Sequence, residues 1–86
     1  MIALLITPEY TKPFDFENLE PSLEEMQNAI NGLIEVVPTK NEDMLLIVNQ
    51  NAIMLNFPLN NTATSLTAND EYIYGNAIYM NKKLFK

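Results

Sequence analysis

The sequence predicts an α+β fold: one mostly antiparallel sheet of four to six strands, with a single helix over about residues 22–32 packed on one face. Three observations predict it. One capped, amphipathic segment occupies 22–32. Short apolar runs, rich in β-branched and aromatic residues, stand on either side of it. Proline, glycine and asparagine separate those runs, as turns require. With 86 residues, the chain is read as one small domain, 1–86.

The elements follow in order. Residues 1–6 are apolar on both alternating faces, so the first strand is expected inside the sheet. Thr7 to Pro13 holds two prolines and reads as a loop, and the acidic stretch 15–20 stays irregular up to Pro21. Ser22 is then the N-cap of a helix, with Glu25 three residues on in a capping box. Glu24 and Glu25 suit the positive end of the helix dipole. Leu23, Met26, Ala29, Ile30 and Leu33 fall at steps of three and four, one apolar stripe for a sheet. Gly32 is the expected left-handed residue that ends the helix.

Strands resume at 33–37 and, after a polar loop, at 44–48. Asn49-Gln50-Asn51 reads as a turn that returns the chain along 52–55 in a β-hairpin. Pro58 keeps 57–59 out of a central strand. Residues 60–70, rich in Asn and Thr, read as a long loop able to close over a polar ligand. Glu71 to Tyr74 and Ala77 to Met80 are strand-like, with a turn or bulge at Gly75-Asn76. The basic tail 81–86 is expected to fray.

Composition excludes several kinds of chemistry. Cys, His and Arg are all absent. Ser–His and Cys–His nucleophilic mechanisms are therefore closed, as are disulfides, thiolate metal sites and bidentate guanidinium clamps on phosphate. The two glycines cannot build a phosphate-cradling loop, and no EF-hand-like ligand series is present. Carboxylate-only catalysis through Glu35, Glu42, Asp43, Asp70 or Glu71 stays formally open, though these read as solvated acids. The expectation is a chain that is not an enzyme and needs no cofactor.

The net charge is −6, with five lysines against 11 acidic residues. No cationic stripe exists to displace counterions, so duplex nucleic acid and anionic membrane are not expected partners. No basic n-region precedes the six apolar N-terminal residues, so a cytoplasmic location is the default expectation. A core this small makes a homo-oligomer the expected state.

The binding candidates are neutral and aromatic. Tyr72 and Tyr74, two apart on a strand, share one face, and Tyr79 joins them if the register at Gly75 allows it. Aromatic faces of this kind can stack on a base. Asn60, Asn61, Thr62 and Asn76 offer hydrogen bonds from the neighbouring loops, and Lys82 and Lys83 could supply positive charge for a phosphate.

One order of short motifs is informative. Gly32-Leu33-Ile34-Glu35-Val36-Val37 follows the helix, a hydrophobic strand ends at Asn49, and Pro58-Leu59-Asn60 precedes Ile73-Tyr74-Gly75-Asn76-Ala77. Over roughly residues 1–80 this resembles the bacterial and phage family called domain of unknown function 3846. That family often carries a glycine in the hairpin turn and a basic residue after the Pro–Asn element, where this chain has Asn51 and Asn61. The resemblance implies no reaction. It implies an accessory protein of a phage or other mobile element, of the kind that counters host defence by binding. Two expectations follow: sequestration of a small nucleotide-like ligand, or inhibition of a host enzyme through an acidic or apolar surface.

Overall fold

A computed structural model describes residues 3–17 and 21–84. Residues 1–2 of the first expected strand, 18–20 of the acidic stretch and 85–86 of the tail lie outside the described residues. The elements run β1 (Ala3–Ile6), β2 (Thr11–Phe14), α1 (Leu23–Ile30), β3 (Ile34–Pro38), β4 (Met44–Asn49), α2 (Asn61–Leu66) and β5 (Ala77–Asn81), closed by a 3₁₀ turn at Lys82–Leu84. The strands form a single five-stranded sheet in the order β2-β1-β5-β4-β3. Every neighbouring pair is antiparallel.

Register divides the side chains between two faces. Leu5, Ile78, Ile47 and Val36 lie in one row across β1, β5, β4 and β3. On this face Met26 and Ile30 of α1 pack over Leu5, Ile47, Ile78 and Met80. Phe14 and Phe16, edge to face at 5.1 Å, close its flank. The next row is Leu4, Tyr79, Leu46 and Val37, on the opposite face. There Ala63 of α2 and Ile73 pack on Ile6, Leu46, Val48 and Ala77. Both faces of the sheet are therefore covered, which explains why β4 and β5 read as continuous apolar runs instead of alternating ones.

Helix α1 begins as its sequence requires. Ser22 Oγ accepts from the Glu25 N–H at 3.0 Å and donates to Glu25 Oε1 at 3.0 Å. Glu25 Oε2 accepts from the Glu17 N–H, so the carboxylate ties in the incoming chain instead of capping the backbone of Ser22. The helix end differs from expectation by one residue. Asn31, at φ 66°, is the left-handed cap, because asparagine tolerates that region. Gly32 is needed for space: a Cβ there would meet Asn49 Nδ2 at 2.8 Å.

Four local readings change. The proline-punctuated segment contains β2, which accepts Pro13 because β2 is an edge strand. Residues 52–55 do not return as a strand. Both flanks of β4 are already taken by β3 and β5, so the chain coils into turns over 51–56 and closes with Leu55 N–H to Asn51 O and Phe57 N–H to Ala52 O. The hairpin is β3–β4. The polar stretch after Asn60 is not a long open loop: it opens with α2. Residues 71–74 make a single bridge, Tyr74 to Leu59, and no strand.

Candidate functional site

Asn60 was expected at a ligand. It is instead fully buried. Its Oδ1 accepts from the Ala63 N–H and so caps α2, while its Nδ2 donates to Ile6 O at 2.9 Å and Gly75 O at 2.8 Å. One side chain thus joins β1, α2 and the turn before β5. Asn76 is also committed, donating to Ala29 O of α1 at 3.0 Å. The threonines behave alike. Thr64 Oγ1 accepts from the Ile73 N–H, and Thr67 Oγ1 accepts from the Glu71 N–H. Asn61 and Thr62 are exposed on the first turn of α2.

The tyrosines part company. Tyr79 lies within β5, half-buried beside Leu4 and Leu46 and packed on the second core cluster. Tyr72 and Tyr74 line a shared concavity of about 300 Å³ at the C-terminal end of β4. Its other walls include Glu35 of β3, Glu71, and Ile53 and Met54 of the coiled segment. Lys82 and Lys83 sit at the opposite end of the sheet. The Lys82 N–H bonds Asp43 O, just before β4 begins, and the concavity starts at Val48. Along β4 that is a separation on the order of 15–20 Å. The lysines and the tyrosines do not meet in one site.

The concavity has a definite chemistry. Its charged side chains are Glu35 and Glu71, and no lysine lines it. Its rim is apolar and open: Ile53 is 73% exposed, Met54 78% and Tyr72 67%. Sequence reasoning missed Ile53 and Met54, since an apolar run beside a strand reads as another strand. The one available signal was Asn56, a non-glycine residue at φ 58° that turns the run back on itself. Among the described residues, no group of three or more acidic side chains is placed to hold a metal ion. No described helix is long and apolar enough to cross a membrane.

With the geometry in place, the comparison with known families is direct. Residues 1–83 match the family described as Domain of unknown function (DUF3846). The chain belongs to that family. No curated protein and no solved structure matches it. Four of the residues that carry the DUF3846 resemblance, Asn49, Asn60, Gly75 and Asn76, have structural duties. Asn49 Nδ2 donates to Ile30 O and Asn31 O at the end of α1, both at 3.1 Å. Asn60 and Asn76 make the bonds described above. Gly75, at φ 78°, gives its N–H to Pro58 O at 2.7 Å, and a Cβ there would lie 2.7 Å from Phe57 Cδ2. The DUF3846 motifs in this chain thus mark the joints of the fold, while the concavity is walled largely by residues outside them.

Proposed function

We propose that this DUF3846 domain acts by binding, without catalysis, and that the concavity beneath Tyr72 receives a protein partner. The observation that carries this is the open rim of Ile53, Met54 and Tyr72 around two carboxylates. Exposed apolar side chains gathered at one place mark an interaction surface more often than a solvated one. Exposed aromatic residues and Met are enriched at the cores of such interfaces. Glu35 and Glu71, in a chain of net charge −6, favour a basic surface on the partner. The absence of His, Cys and Arg supports holding over transforming. In the setting that the resemblance implies, an accessory protein of a phage or mobile element, the partner is a host enzyme and its capture inhibits it.

A nucleotide-like ligand is the second reading. Tyr72 and Tyr74 in its lining favour it, and about 300 Å³ lies at the small end of ligand pockets. The carboxylates repel a phosphate, and the lysines at the far end of the sheet offer it nothing.

Immobilised protein separates the two. Extract of the native host is expected to yield a stoichiometric protein partner, which Ile53→Asp or Tyr72→Ala releases. Both side chains are exposed, so neither change should alter stability by more than about 0.5 kcal/mol. Equal capture by wild type and both variants overturns the reading. Release of a small molecule on heating protein purified from the host favours the second.

A further inference from the structure

We infer that the outer edge of β3 accepts an extended segment of the partner as a sixth strand, with a Lys or Arg of that segment placed opposite Glu35. This deepens the protein-partner reading and rests on it. The backbone supplies the first observation. Pro38 pairs with Leu45 yet has no N–H to exchange, so Pro38–Leu45 is a non-hydrogen-bonded pair. Alternation then makes Val36–Ile47 and Ile34–Asn49 non-hydrogen-bonded pairs too. The Gln50 N–H bonds Leu33 O across the β3–β4 ladder, and the Ala68 N–H bonds Pro38 O. Both bonds fit that phase. The N–H and C=O groups of Ile34 and Val36 therefore point away from β4. Among the described residues no strand or hydrogen bond reaches them. The opposite edge, β2, is blunted by Pro13 and Lys12, whereas Ile34 to Val37 carries neither proline nor lysine.

Charge selects the occupant. A second copy pairing antiparallel through both Ile34 and Val36 would set its Glu35 directly against the first, at about 4.5 Å between Cα atoms. Like charges so placed are destabilising. A foreign strand with a cation there meets Glu35 on the face that lines the concavity, whose lining also holds Glu71 and Tyr72. Val36, 43% exposed on the other face, offers an apolar seat to the neighbouring side chain. Strand addition of this kind takes affinity from main-chain bonds and specificity from alternate side chains.

The test uses short synthetic peptides of alternating Thr and Val with a central Lys or Glu, titrated to millimolar concentration into the full chain. The Lys peptide is expected to slow hydrogen exchange at the Ile34 and Val36 amides. It should bind about fivefold more tightly than the Glu peptide, the size that cross-strand charge pairs reach, and Glu35→Lys should reverse the order. No binding, binding without protection of those two amides, or an unreversed preference overturns the inference. So does protection that depends on protein concentration alone, which reports self-pairing. Extract capture keeps the two readings apart. A partner lost with Ile53→Asp but held equally by wild type and Val36→Pro overturns strand addition and leaves the protein-partner reading standing.

Discussion

Asn60 shows how much one side chain can hold. It is wholly buried and satisfies the first turn of α2 with its oxygen and two carbonyls with its nitrogen. Removing it as Asn60→Ala forfeits a helix cap and strands two buried acceptors, which together cost about 2–4 kcal/mol. The melting temperature should fall by on the order of 10 °C or more. Asn60→Asp is the sharper comparison. It keeps the capping oxygen but sets a carboxylate against Ile6 O and Gly75 O, so it should be at least as destabilising as Ala. A melting curve in which Asp rescues the fold would show that capping, and not the two carbonyl bonds, is what matters. Asn49 has the same logic at the end of β4, where its amide closes α1 and its Oδ1 accepts from the Asn51 N–H at 2.7 Å. At these positions the asparagines are structural.

At the scale of elements, α1 was the most legible piece of the chain. Its cap and stripe are local signals, fixed by neighbours three and four residues apart. The Ser22 hydroxyl makes both capping contacts, so Ser22→Ala should cost about 1 kcal/mol and lower the melting temperature by about 4–8 °C. An unchanged melting temperature would mean that the carboxylate's bond to Glu17 N–H carries the helix start. By contrast, α2 was illegible. Six residues, Asn-Thr-Ala-Thr-Ser-Leu, have poor intrinsic helix propensity and no long apolar stripe. The helix exists because Ala63 and Leu66 find the uncovered sheet face and Asn60 caps it from within the core. The coiled run at 51–56 was misread for the mirror-image reason. Its side chains look strand-like, but β4, the strand it follows, already has β3 on one flank and β5 on the other.

Across the whole molecule, stability is concentrated at the centre of the sheet. Ile78 is fully buried, with Leu5 and Ile47 in register on either side. Ile78→Ala should cost about 2–5 kcal/mol. A chain of 86 residues has on the order of 4–13 kcal/mol in total. Denaturant titration should therefore show a sharply lowered midpoint, and in the less stable case a population without fixed packing. A loss below about 1 kcal/mol would place the cooperative core elsewhere.

The sequence alone determined the α+β fold class, the capped helix, the core strands, the family resemblance and the exclusion of imidazole, thiol and guanidinium chemistry. These rest on composition or on contacts between near neighbours, which a linear chain displays directly. Tertiary structure alone decided that Asn60 and Asn76 are joints, that Tyr79 is separated from Tyr72 and Tyr74, and that Lys82 and Lys83 lie at the far end of the sheet. Each of those outcomes depends on which strands are neighbours. The order β2-β1-β5-β4-β3 sets β5, last in the chain, between β1 and β4, and no local pattern encodes a pairing across so many residues.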